Sequence, residues 1–321
     1  MLKEGHTFRP SFWILKRGCD SLKKGHSLAN KRKREPYLML APVVIVLLLA
    51  FGYPIINSCI MAFKNYKLTQ PNKIYFNGWD NFAKLFTDED FWMILKNTLI
   101  YVITCVISQF VLGFTLALAL KGKFKGRGLY QSIVFLPWAF SGFAIGLIFR
   151  WSFNGEYGVI NFVLQALHLT GSKIAFLGTP GLSLAVVILA MIWQGIPFFA
   201  IMLLAALQSI PEDVYEAASI DGASVFTKFR YITLPYVKPT IITTILLRTI
   251  WIFNTFDIIV MLTNGGPANK SQTLLSYMYN KAFTGYDFGF ASAIGVVVMV
   301  VLSVYTIIFL KITNYKKAGD F

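Results

Sequence analysis

Charge is scarce in this chain. Only 14% of its 321 residues are Asp, Glu, Lys or Arg, against about 25% in soluble domains, while 56% are hydrophobic. A fold of that composition has too little polar surface to face water, so the deficit points to burial in lipid. Acidic residues are scarcest, 15 against 30 basic ones. Histidine occurs three times, at His6, His26 and His168, too scattered for a metal cluster. The three cysteines, Cys19, Cys59 and Cys105, suggest no disulfide framework. Cys59 and Cys105 fall in apolar runs, where a small buried hydrophobe is the ordinary role. Also missing are the G-x-x-x-x-G-K-[ST] phosphate loop, the G-x-S-x-G nucleophile turn and the H-E-x-x-H metal helix. Without clustered acid–base or metal groups a membrane enzyme has little to work with. Any uphill transport must then draw on an ion gradient or on another chain.

What is present is a series of long apolar runs. Six have about the 20 residues needed to cross some 30 Å of hydrocarbon, near 38–63, 97–120, 129–149, 182–207, 239–262 and 289–310. The expected fold is therefore all-α, a polytopic membrane protein. The net charge of +15 follows the connections between runs. Residues 1–36, 121–128, 208–238 and 311–321 hold 20 Lys and Arg; the alternate connections hold 9, with Arg248 left inside a run. That is the positive-inside distribution, and it puts both termini and the 208–238 loop in the cytoplasm. A nucleic-acid binder would instead gather its cations on one polar surface. The division is a basic tail over 1–36, a membrane domain over 37–312 and a short tail over 313–321. In the first tail, KRKRE at 31–35 reads as a topological anchor for anionic lipid, and Phe12–Leu15 as a short interfacial helix rather than a secretory signal. The stretch 158–169 has helical spacing but is too short to cross, and is expected to lie flat at the outer surface. No inverted repeat is evident, which disfavours the common secondary-transporter folds.

The 208–238 loop, with EAASIDGASVFTKFRYITLP at 216–235, carries dense local signals. Ser209 and Glu212 have capping-box spacing, so a first helix is expected from about Ile210 to Asp221. It would stop at Gly222, which takes a left-handed backbone cheaply. A second helix is expected near 224–233, ending before Pro235, whose ring disfavours helical geometry at Leu234. Val214, Tyr215, Ala217, Ala218, Val225, Phe226 and Phe229 would give this knob apolar surface for a partner, with Glu216 set to meet a basic residue. A well-capped connector is the plainer alternative.

The loop fits E-A-A-x3-G-x9-I-x-L-P at Glu216, Ala217, Ala218, Gly222, Ile232, Leu234 and Pro235. In this it resembles the permease subunits of ABC importers, the carbohydrate branch in particular. FNTFDIIVMLTNGGPANKSQTL at 253–274 and NTLIYVI at 97–103 resemble MalF-type sugar permeases, and the likeness runs from about 37 to 312. The resemblance implies a type I importer permease fold with the knob as coupling helix and Glu216, Ala217, Ala218, Asp221, Gly222, Ile232, Leu234 and Pro235 as the ATPase-coupling residues, Glu216 touching the ATPase and Gly222 forming the turn. It implies a bacterial cell-membrane location, no cofactor on this chain, and ATP and Mg used by a separate ATPase dimer. Further implied partners are a second permease chain, an extracytoplasmic solute-binding protein and a carbohydrate solute. Maltose does not follow, since the extra spans and large external domain of the maltose subunit are missing.

Polar residues inside the runs are costly, about 2.5–3.5 kcal/mol for a central Arg, so each requires a partner or a wet path. Trp193, Gln194, Arg248, Trp251, Asn254 and Asp257 are the candidates for the solute pathway. Trp193 beside Gln194 offers a ring face and an amide to a sugar, and Gly195 and Pro197 weaken the helix there. Asp257, nine residues from Arg248, points to the opposite side of one helix and cannot neutralise it. Arg248 must then meet another helix, another subunit or a wet cavity. The same polar residues serve equally well as glue between helices. A glycerol-phosphate or other non-sugar permease and an ion-coupled secondary transporter are the alternatives, the first because Arg248 would attract an anion.

Overall fold

The computed structural model describes Tyr37, residues 39–122 and residues 124–313. The basic tail, with KRKRE and Phe12–Leu15, and the residues from 314 onward lie outside the described residues. The chain divides into a unit ending at Asn57 and one running from Ser58. The first contains most of α1, Met39–Ala62, an apolar helix with a widened π turn at Leu48–Gly52.

In the second unit the long helices are α3 (Glu89–Lys121), α7 (Leu182–Gln208), α9 (Val225–Phe253) and α12 (Phe288–Ile312). With α1 they make five helices long and apolar enough to cross a membrane. The pair α4 (Arg127–Ala139) and α5 (Gly142–Ser152), bent by 94°, brings the number to six when counted as one broken span. Shorter helices are α2 (Asp80–Thr87), α6 (Val159–Ala166), α8 (Glu212–Ile220), α10 (Asp257–Leu262) and α11 (Leu274–Tyr279). A two-residue ribbon, β1 (Lys64–Asn65) antiparallel to β2 (Tyr75–Phe76), is the one sheet among the described residues.

Two of the six expected crossings differ in form. The third is not one helix over 129–149: Phe140 and Ser141 are extended, and the Ser141 hydroxyl accepts the Ala144 N–H at 3.2 Å, opening a new helix. The fifth does not run through 239–262: it ends at Phe253, and residues 257–262 form the separate α10. Its other end is longer than expected. Leu234 is helical, and Pro235 falls just after a π turn at Phe229–Thr233, so α9 runs unbroken from the knob into the span. A widened turn is one of the ways a helix accepts a ring that cannot donate. Expectations for the fourth and sixth crossings match α7 and α12. The second begins earlier, at Glu89, because Asp88 caps it by accepting the Asp90 N–H.

Packing rests on α3 against α7, with α9 across both. One buried cluster lies around Tyr101, Cys105, Met191, Ile252 and Ile258, another around Ala117, Phe199, Leu203, Leu207 and Val237. The half-helices α5 and α10 pack closely through small residues. A Cβ on Gly142 would strike the Asp257 carboxylate, and one on Gly146 would come within 2.7 Å of Met261 Cβ. At the far end of the pair the Arg150 guanidinium donates to Met261 O at 3.3 Å.

Candidate functional site

The knob is built from local chemistry. Helix α8 starts at Glu212, not Ile210, and no capping box forms. Ser209 instead ends α7, its hydroxyl donating to Ala206 O at 2.8 Å, and Pro211 occupies the cap of α8 without a side-chain bond. Negative charge at Glu212 and Asp213 still suits the first turn. The other end closes as expected. Gly222 has φ +75°, Gly222 N–H donates to Ser219 O at 3.1 Å and Ala223 N–H to Ala218 O at 2.9 Å, a Schellman closure. Ser224 then caps α9 by accepting the Thr227 N–H.

Two of the residues expected on the docking face turn inward. The Tyr215 hydroxyl lies 2.8 Å from Thr233 Oγ1, with Lys121 Nζ 4.0 Å above its ring. Phe229 packs on Phe114 at 6.0 Å between ring centroids. Lys228 Nζ donates to Ser219 Oγ at 2.6 Å, tying α8 to α9. Tyr215 and Ile232 rest on the cluster of Leu207, Ile210 and Val237. Exposed instead are Glu216, Ala217, Asp221 and three apolar side chains: Ile220 (87%), Val225 (85%) and Phe226 (71%). Ile220 escaped the sequence reading, although at i+4 from Glu216 it shares that residue's face. Ala218, Leu234 and Pro235 are half-buried. The motif thus splits into exposed residues and residues that seat the knob.

The polar span residues fall into three groups. Arg248, only 4% exposed, donates from Nε to Gln109 Oε1 at 2.7 Å across from α9 to α3. Gln109 in turn donates to Met191 O of α7 at 2.6 Å. Gln109 was not picked out from sequence; its spacing from Tyr101 and Cys105 on one face of α3 is the signal that would have found it. Gly195 lies against this contact, and a Cβ there would overlap Arg248 Nη2 and the Gln109 amide. Helix α7 is therefore not broken at Gly195 and Pro197 but clamped there. The second group is aromatic. Trp193 stands 6.3 Å from Phe140 and 5.9 Å from Phe149, while Phe198 lies between Trp138, at 6.0 Å, and Trp251, at 5.0 Å. Gln194 is half-buried, Trp251 is 45% exposed, and exposed Asn254 donates to Ile250 O at 2.8 Å. Third, Asp257 is on α10, beyond the break, its carboxylate against Gly142 at the start of α5. Its side relative to Arg248 is therefore not fixed by one helix, as the sequence reading assumed.

Apolar helices long enough to cross a membrane, one sharply bent pair and a knob made by α8 and the start of α9 fit a solute-permease subunit of the type I ABC importer fold. The family model described as "binding-protein-dependent transport system inner membrane component" matches residues 109–316, and the chain belongs to that family. It is 36% identical over 279 residues to the sulfoquinovosyl glycerol transport system permease protein SmoG of Agrobacterium fabrum, covering 87% of this chain and 90% of that one. To the trehalose/maltose transport system permease protein MalF of Thermococcus litoralis it is 34% identical over 290 residues, covering 90% and 97%. Among solved structures it is similar to a chain of a bacterial ABC transporter involved in import of the acidic polysaccharide alginate, with TM-score 0.76, 29% identity and coverage of 88% and 96%. It is thus an integral membrane transport subunit, not an enzyme.

Proposed function

We propose that the chain forms half of the pathway of an ATP-driven importer for a sugar or oligosaccharide. Both termini and the knob face the cytoplasm, as the 20-to-9 distribution of Lys and Arg supports. A second, different permease chain completes the pathway, two ATPase copies dock beneath, and a solute-binding protein delivers from outside. ATP and Mg act on the ATPase, and α6 lies along the outer surface.

The observation that carries this reading is the knob. Its exposed face joins one carboxylate, Glu216, to three bare apolar side chains, Ile220, Val225 and Phe226. Such a face, on a helix pair pinned by the Tyr215–Thr233 and Lys228–Ser219 contacts, suits a groove on a cytosolic protein. Because α9 continues unbroken into the bilayer, closure of the ATPases moves a span and not only a loop. Relatives named for glycosides and oligosaccharides support a carbohydrate solute. Gln194, Trp251 and Asn254, with the edge of Trp193, supply amides and rings for it. Those relatives do not favour the glycerol-phosphate or other non-sugar alternative, and an ion-coupled carrier does not suit the family.

The test isolates the tagged chain from host membranes with whatever ATPase accompanies it. Glu216→Lys is expected to lower the recovered ATPase by about tenfold, and to abolish MgATP-driven uptake of labelled oligosaccharides. Unchanged recovery and uptake would refute the docking role. Labelling of Ala223→Cys from outside intact cells by an impermeant maleimide would refute the orientation.

A further inference from the structure

Arg248 is a buried ion without a counter-charge: the Gln109 carbonyl at 2.7 Å and the Phe198 ring, whose centre is 5.8 Å from the guanidinium carbon, are what its surroundings offer. Among the described residues no carboxylate pairs with it; the titratable groups that interact with it are Tyr101 and Cys105, both neutral in their ordinary state. Its hydrogen-bonded partner is the neutral Gln109, and Nη2 is enclosed without a partner. Replacing such an ion by an apolar side chain of similar volume is often neutral or stabilising, so stability alone gives no reason for arginine here. An ionisable residue within a span that lacks a counter-charge marks a functional place.

Its position says which function. Arg248 lies near the far end of α9, the helix that starts in the knob, and five residues before that helix ends at Phe253. Through Gln109 it reaches α3, and through Gln109 to Met191 O it reaches α7. Gly195 brings the α7 backbone so close that no side chain fits between them. Three helices thus meet at one polar contact, at the level just before the breaks that set off α10 and α5. Arg248 is 4% exposed, so most of the contact faces protein.

We propose that Arg248 is a positioning residue for transport: with Gln109 it clasps α9 to the α3–α7 pair, so that motion entering at the knob reaches the interrupted ends of the spans. The unpartnered Nη2 gives the guanidinium a second donor with which to keep a hold on α3 while α9 shifts, which an apolar side chain lacks. This inference rests on the lever reading of the knob.

The experiment uses the whole transporter in inside-out vesicles from the host, with Cys19 and Cys59 replaced by serine and the buried Cys105 kept. Single cysteines at Ala223→Cys, in the knob, and Asn254→Cys, beyond the clasp, report by their rate of labelling with a fluorescent maleimide. The probe is MgATP with vanadate. With Arg248 present, both positions are expected to change labelling rate by about fivefold or more. In Arg248→Met the knob keeps its response, while the response at Asn254→Cys falls below about twofold. Arg248→Lys, which keeps the charge and a donor, restores it. The double variant Arg248→Met/Gln109→Leu removes both partners and is expected to melt no lower than the native complex while losing the same response. A merely structural role predicts a lower melting temperature and a knob that stops responding too, and that result would overturn the proposal. So would an undiminished response at Asn254→Cys in Arg248→Met. If neither position responds with Arg248 in place, the lever reading itself fails and the clasp falls with it.

Discussion

Helix α7 and the α4–α5 pair contain the same disruptive residue and end differently. Pro197 sits in the middle of α7, beside Gly195, and the helix runs on to Gln208. Pro137 sits in the last turn of α4, and three residues later the chain turns by 94°. Surroundings decide between them. Around Pro197 the helix is buried at Phe198 and Phe199, and the Gln109–Arg248 contact lies against Gly195 two residues earlier. Around Phe140 and Ser141 the chain is exposed, and Ser141 supplies its own acceptor for a fresh helix start. Proline permits a break; a cap and open space make one.

That contrast can be broken most sharply at Gly146. If α5 owes its direction to seating against α10, Gly146→Val should cost about 3 kcal/mol through overlap with Met261 Cβ and Ile258 O. A thermal melt of the purified protein in detergent would show it, and an unshifted melt would mean that α5 is placed by something else. A smaller effect sharpens the role of the cap. Ser141→Ala should destabilise the start of α5 by about 1 kcal/mol, read as faster amide exchange at Ala144 with α7 unchanged. Equal acceleration in both helices would dissolve the distinction.

The smallest effect concerns a contact outside the spans that orders the loop before α12. The Tyr277 hydroxyl donates to Asp88 Oδ2 at 2.8 Å, joining α11 to the cap of α3. Burial first, and then this carboxylate, pushes the phenol's ionisation upward. In the folded protein Tyr277 therefore stays protonated where an unfolded chain would lose the proton. Its contribution is whole below about pH 10 and is lost as pH rises beyond it. Tyr277→Phe should cost about 0.5 kcal/mol at pH 7, with the difference from the native protein shrinking in alkali. A gap that widened with pH would reverse the sign and discard the argument.

How much of this was readable beforehand follows the range of the forces involved. The apolar runs and the turn at Gly222 depend on neighbours in sequence, and both were legible. So was the need of Arg248 for a partner on another element, though not that the partner would be Gln109. Capping at Ser209 failed because the hydroxyl had a nearer acceptor, Ala206 O, in the helix it follows. The interruptions at Ser141 and Asn254 were invisible because hydropathy measures solubility in lipid, not direction. Tyr215 and Phe229 were assigned outward because an aromatic on a short helix looks the same from sequence whichever way the pair is seated.

Where Arg248 falls along α9 has a mechanical consequence. At about 1.5 Å per residue the rod extends roughly 35 Å from that grip to Val225 and roughly 8 Å to Phe253. With the proposed clasp as its pivot, the helix would have a long arm and a short one, and a sweep at the knob would be geared down about fourfold while the thrust at the short end grew in proportion.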